Sequence, residues 1–139
     1  MEAGLTERLL DQLRTCADGR AECVAYLTVD QAVRDLVVEV VHAAHVGGQG
    51  HYDVDSGWLN RLFVDLVDRR RSIVAQVHTH PGDWVGHSWI DDAFPIVPMP
   101  GLLSVVVPDH AVDADPAAFG IYCLEVNGSW VDAAGAISW

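Results

Sequence analysis

The sequence predicts a mixed α/β protein with a largely antiparallel sheet packed by helices. Two observations carry this expectation. The elements run helix, strands, helix, strand and strands again, without the regular alternation that builds a parallel sheet. Near the end, Asn127-Gly128 stands between two β-favouring runs, a strong signal for a two-residue hairpin.

The elements follow in order. Residues 5–15 read as a helix with Leu5, Leu9, Leu10 and Leu13 on one face and charged residues on the other. Asp18-Gly19 breaks it. ECVAYLTV (22–29) reads as a strand, and LVVEVVHAAHV (36–46) as a second, longer one. GGQG (47–50) is a flexible connection, with HYDVD as a short strand after it. Residues 57–71 give the clearest helix. Trp58, Leu59, Leu62, Phe63, Leu66 and Val67 form its core-facing stripe, Ser56 is the expected N-cap, and Arg69, Arg70 and Arg71 fall in its last turn, where cations suit the helix dipole. SIVAQVH (72–78) reads as a buried strand, LSVVV (103–107) as another, and 119–126 with 129–133 as the hairpin.

The chain has 139 residues, expected to form a single domain over 1–139. A protein of this size exposes roughly 7,000 Å² of about 22,000 Å² when folded, enough burial to need no covalent staple. Half the residues are hydrophobic and 20% are charged, a globular composition. The formal net charge is −12, and all 8 basic residues are Arg. From Ser72 onward there are eight acids and no Lys or Arg. No basic face can be assembled to displace counterions from nucleic acid, and an anionic membrane surface would repel the chain. The charged, amphipathic start lacks the pattern of a signal peptide. Cys16, Cys23 and Cys123 are odd in number and widely spaced, which suggests reduced thiols and a cytoplasmic location.

The chemistry concentrates in QVHTHPGDWVGHSWIDDAF. His78 and His80 are two apart on a strand and project together, while Pro81 and Gly82 end it. Ser88 and Asp91 are three apart and share the face of a helix start. Two imidazoles, a carboxylate and a solvent molecule compose a four-coordinate catalytic zinc site; Fe²⁺ or another divalent ion also suits these donors. Ser88-x-x-Asp91 reads equally as a capping box, and one helix start can do both jobs.

HTHPGDWVGHSWID matches position for position the motif His-x-His-Pro, six residues, Ser-x-x-Asp, and so resembles the JAMM (JAB1/MPN/Mov34) metalloproteases over nearly the whole chain. The resemblance implies a cytidine-deaminase-like JAB/MPN fold, in which His78, His80 and Asp91 bind zinc and Ser88 steadies the oxyanion. It also implies a general base at the start of the first strand, where Glu22 stands. Cys23-Val24-Ala25 departs from the Gly-rich continuation often found after this Glu. Glu39, inside the second strand, is the rival and reads better as an edge or solvent-facing residue. Trp84 is expected to help wall a groove for an extended substrate tail. His87 reads as a solvated loop residue, Asp92 as a polar neighbour, and His42 with His45 as packing or surface. Cys123 is expected to be buried and inert.

By resemblance the chain is similar to compact prokaryotic deubiquitinase-like members of the family. The implied activity is a zinc isopeptidase or peptidase cutting after the C-terminus of ubiquitin or a ubiquitin-like modifier. The implied partners are that modifier or its conjugates and co-encoded activating and conjugating enzymes, some in antiphage operons; neither nucleic acid nor membrane is among them. Two alternatives stay open: a peptidase acting on a ubiquitin-like sulfur-carrier adduct, and a non-catalytic MPN scaffold. A chain without lysine offers no side-chain amine for conjugation, and its acidic second half is expected to attract a cationic modifier tail or target.

Overall fold

The structure, a computed structural model, describes residues 1–139 apart from the side chain of Ala17. The first helix, α1 (Leu5–Thr15), buries Leu5, Leu9 and Leu13, as its periodicity predicts. Two long strands follow, β1 (Val24–Asp30) and β2 (Val33–His42), then a short pair, β3 (His45–Gly47) and β4 (Tyr52–Val54). Helix α2 (Ser56–Asp68) leads into β5 (Arg71–Thr79). A short helix, α3 (Trp89–Ala93), precedes β6 (Leu103–Val107) and the hairpin β7 (Gly120–Leu124) with β8 (Trp130–Asp132).

Six strands form one sheet in the order β2-β1-β5-β6-β7-β8, and β3 pairs with β4 in a second, two-stranded sheet. Neighbours in the large sheet are antiparallel except β5 and β6. A parallel pair needs a long crossover. Here the crossover runs from Pro81 to Leu102 and contains the whole second half of the His-x-His-Pro motif and α3.

The period of two along β1 sets the two layers. Cys23, Ala25, Leu27 and Val29 face α1 with Ala75, Val77, Val105 and Val107. Val24 and Tyr26 face the opposite way, against Leu62 and Leu66 of α2. On β5, Gln76 and His78 therefore lie on the α2 side, while Ala75 and Val77 complete the α1 side. The site strand is thus covered on both faces, which is why its polar residues are buried.

Several local expectations are corrected. Asp55, not Ser56, caps α2, its carboxylate accepting the amide of Trp58. The helix ends at Asp68, because Arg70 adopts a left-handed backbone (φ 53°) and Arg71 opens β5. Only Arg69 stays near the helix end, bridging Asp65 and Glu39. Val67 lies outside the core stripe at 72% exposure. The second strand breaks after His42, where Ala43 bonds back to Val24 and the chain turns away to pair with β4. Cys123 is only half-buried. No helix among the described residues is long and apolar enough to cross a membrane.

Candidate metal centre

The β5 strand delivers His78 and His80 to one point, as their two-residue spacing requires. The Nε2 atoms of the two rings stand 3.2 Å apart, and both rings are buried. Asp91 arrives from α3. Its Oδ1 lies 3.1 Å from His78 Nε2 and its Oδ2 3.4 Å from His80 Nε2. The capping box and the cluster coexist: the Ser88 amide donates to Asp91 Oδ2 (2.7 Å) and the Asp91 amide to Ser88 Oγ (3.3 Å). The cap therefore fixes the carboxylate against the imidazoles, and leaves the Ser88 hydroxyl proton unused.

These residues fit a metal ion. Donors around a four-coordinate ion with bonds of about 2.0–2.2 Å stand about 3.3–3.5 Å apart, and the observed separations of 3.1 to 3.4 Å lie close to that spacing. Two buried imidazoles meeting nitrogen to nitrogen can share only one proton, whereas a cation between them satisfies both lone pairs. The outer nitrogen of His80 is already committed, since Nδ1 lies 3.1 Å from the Trp84 carbonyl. That bond fixes the tautomer and leaves Nε2 as the donor, the usual support of a metal-binding imidazole. Burial alone would raise the Asp91 pKa, but the bonds from His78 and His80 hold its carboxyl well below the usual carboxylate range. Burial likewise works against a charged His80, but the bond and charge of Asp91, the Trp84 carbonyl and the charge of Glu22 together outweigh it and raise its pKa. The cluster thus keeps an ionised carboxylate in a buried place.

Glu22 is buried just before β1. It lines the same cleft as Asp91, and His80 and Asp91 both act on its charge. Burial, opposed by His80, pushes its carboxyl above the ordinary value. Its amide donates to the Gly48 carbonyl at 2.9 Å. The GGQG connection thus has a structural task. A Cβ on Gly47 would lie 2.2 Å from the Glu22 carbonyl oxygen, so only glycine lets β3 press against this segment. A Gly47→Ala variant is expected to displace Glu22 and lower kcat by up to about 100-fold, since small misplacements of reacting groups cost that much. Metal content measured on the same protein should be unchanged. Glu39 is elsewhere, on the edge strand β2, where it pairs with Arg69 and accepts from Thr28.

The cleft encloses about 520 Å³ and runs between β4 and α3, with Tyr26, Tyr52, Trp89, Ile90 and Phe94 among its walls. Trp84 is not among its lining residues. It stacks on the His80 ring (centroids 5.2 Å, planes 13° apart) and is otherwise exposed. His87 corrects the solvated reading: its side chain is only 6% exposed, wedged against Tyr122 and Trp130, with Nδ1 3.0 Å from Asp92. Its loop is tied down by the Tyr122 hydroxyl, which donates to the Val85 carbonyl at 3.0 Å.

Two contributors escaped the sequence reading. Gln76 Nε2 donates to the Tyr52 hydroxyl (2.8 Å), and Gln76 Oε1 accepts from the Ile96 amide (2.9 Å). One side chain thereby ties both walls of the cleft to β5. Its signal was present, a lone amide two residues before His78 in an apolar strand. Tyr52 had none, because its strand is short.

Fold and site together define a mixed α/β protein whose buried His-His-Asp centre forms where the crossover between its parallel strands returns over the end of β5. Comparison with known proteins agrees on the fold. The fold is that of a JAB1/MPN domain protein from Archaeoglobus fulgidus, matched with a TM-score of 0.53 at 16% identity over 93% of this chain and 89% of that one. A Desulfitobacterium hafniense protein solved in solution matches with a TM-score of 0.66 at 14% identity, over 91% and 85%. A Sinorhizobium fredii protein named a probable metalloprotease is 38% identical over 80 residues, 57% of this chain. The match spans about half the length of that relative, 49%. No protein-family model matches the sequence. The chain thus shares its fold with a JAB1/MPN domain protein and part of its sequence with a protein named a probable metalloprotease.

Proposed function

We propose that the chain is a zinc-dependent peptidase or isopeptidase that cuts the amide bond after the C-terminus of a ubiquitin-like protein. The observation that carries this reading is the convergence of His78, His80 and Asp91, with Asp91 and Glu22 lining one cleft. In it, His78, His80 and Asp91 hold the metal. A zinc ion bound there supplies Lewis acidity and lowers the pKa of a coordinated water toward about 7.

The remaining work falls to the protein. Glu22 takes a proton from the attacking water at its carboxylate and passes it to the departing amine. The raised affinity of this carboxyl for protons suits a group that must hold one between two steps. The Ser88 hydroxyl, its proton uncommitted, donates to the carbonyl oxygen as negative charge develops there, a contribution of a few kcal/mol in comparable sites. The substrate tail lies extended between β4 and α3. Strand β4 pairs on one side with β3, and its other side offers main-chain groups to an incoming strand. Apolar Trp89, Ile90 and Phe94 face it across the cleft. The acids of the second half of the chain favour a basic tail or target.

The test is cleavage of a modifier–lysine isopeptide by the purified protein. Turnover is expected, abolished by a chelator and restored by added zinc. Turnover that persists in chelator removes the metal from the reaction. Cleavage confined to small adducts of a sulfur-carrier protein moves the substrate to the alternative class.

A further inference from the structure

A second group of metal-binding side chains lies on the α1 side of Glu22, and the reaction uses none of it. Cys16 caps the C-terminus of α1, Cys23 directly precedes β1, His42 ends β2 and His45 opens β3. Cys16 Sγ is 3.5 Å from His45 Nε2, and Cys23 Sγ is 3.1 Å from His42 Nε2. One ligand atom each from Cys16, Cys23 and His45 lies within 4.8 Å of the others; His42 stands outside that group, against Cys23, with its ring 5.4 Å from that of His45, centroid to centroid. The strand breaks between the two histidines, and the turn at Ala43 and Ala44 brings both rings together.

We infer that Cys16, Cys23 and His45 form the core of a second metal site for a thiophilic divalent cation of the zinc type, distinct from the His-His-Asp centre, with His42 beside Cys23 as its fourth donor. Two thiolates and two imidazoles are the donor set of four-coordinate structural zinc. Bonds of about 2.3 Å to sulfur and about 2.0–2.1 Å to nitrogen place S and N donors about 3.6 Å apart, against the 3.5 and 3.1 Å seen. His45 is oriented for the task, with Nδ1 held 2.8 Å from the Ala43 carbonyl and Nε2 turned to Cys16. His42 is exposed and Cys16 and His45 are half-buried, so a cation can enter from solvent. Cys23 is fully buried, which removes the competing role of a Cys–His nucleophile, because no substrate reaches its sulfur. Binding exchanges two thiol protons for the cation with no change of oxidation state.

The site joins four segments that are separate in sequence, and it bears on the reaction centre through Cys23. The Cys23 amide donates to Thr79 Oγ1 (2.9 Å), and the Thr79 amide donates to the Cys23 carbonyl (3.0 Å). Thr79 stands between His78 and His80, and Glu22 adjoins Cys23. The second cation therefore acts as a positioning element, pinning the end of α1 to the segment that carries the proposed base.

The chain loaded with Co²⁺ tests this directly. The His-His-Asp centre contains no sulfur, so a thiolate-to-cobalt charge-transfer band reports on the second site alone. The band is expected in the native protein and in Asp91→Asn, and absent from the double variant Cys16→Ser/Cys23→Ser. Zinc content should be two per native chain, falling to one in either variant. A native protein without the band, or with thiols that react with a thiol reagent equally fast with and without zinc, overturns the inference. So does a Cys16–Cys23 disulfide in zinc-loaded protein. Should the double variant not fold, the native spectrum and the thiol protection decide the matter without it. Loss of the band with isopeptide cleavage intact sinks the second site alone; the band with no cleavage sinks the proposed activity alone.

Discussion

Glu22→Gln is expected to lower kcat by about 10³-fold while the protein keeps its fold and its metal. General-base catalysis by a positioned carboxylate contributes about 10²–10⁴-fold. Glutamine has nearly the same shape but cannot accept the proton of an attacking water. Nothing that holds this segment depends on the carboxylate: the Glu22 amide bonds to Gly48, and the neighbouring Cys23 is tied to Thr79 through its backbone. Steady-state turnover on an isopeptide substrate, with metal analysis of the same sample, checks this. Native turnover in the variant would move the base to another residue. Lost metal would make Glu22 a ligand.

Asp91→Asn is expected to abolish measurable turnover by emptying the His-His-Asp centre, with metal affinity falling by more than about 100-fold. Even residues that merely support a metal ligand cost about 10–100-fold in affinity, and Asp91 supplies the centre's anionic donor. The substitution separates the two jobs of this side chain. An asparagine oxygen can still accept from the Ser88 amide, so α3 keeps its cap, worth about 1 kcal/mol. The buried imidazoles lose their charge partner, and removing one partner of a buried pair costs about 3–5 kcal/mol. Urea unfolding of the chelated native and variant proteins measures that cost. Metal titration measures the affinity. An Asp91→Asn protein that binds metal as the native one does would show that His78 and His80 suffice.

The sequence was most informative where interactions are local. Leu5, Leu9 and Leu13 report a helix because residues on one face are close along the chain, and the helix they predict is the one that forms. The hairpin forms where Asn127-Gly128 marks it, with β7 paired to β8, but not around a two-residue turn: Glu125 bonds to Ser129 across three residues and the Gly128 amide donates to the Glu125 carbonyl. His78 with His80, and Ser88 with Asp91, are each set by the period of a strand or a helix start. Several of the expectations that failed lie at element boundaries. Arg70 leaves the helix because its carbonyl bonds to the Gln31 amide at the end of the β1–β5 ladder, a contact no helical window contains. His42 and His45 share a site only because the strand between them breaks.

By itself, the sequence determined a mixed α/β fold and the pairing of donors within each half of the motif, since both follow from backbone periods of two and 3.6 residues. Tertiary structure alone decided three things. It brought α3 back over the end of β5, closing the six-residue gap of the motif so that Asp91 meets both imidazoles. It placed Glu22 on the wall of that cleft, with Gly47 making room. And it gathered Cys16, Cys23 and His45 into one cluster, with His42 beside Cys23. The physical reason is common to all three. These neighbours are chosen by strand pairing and by burial against α1 and α2, and that free energy depends on residues far apart in the chain.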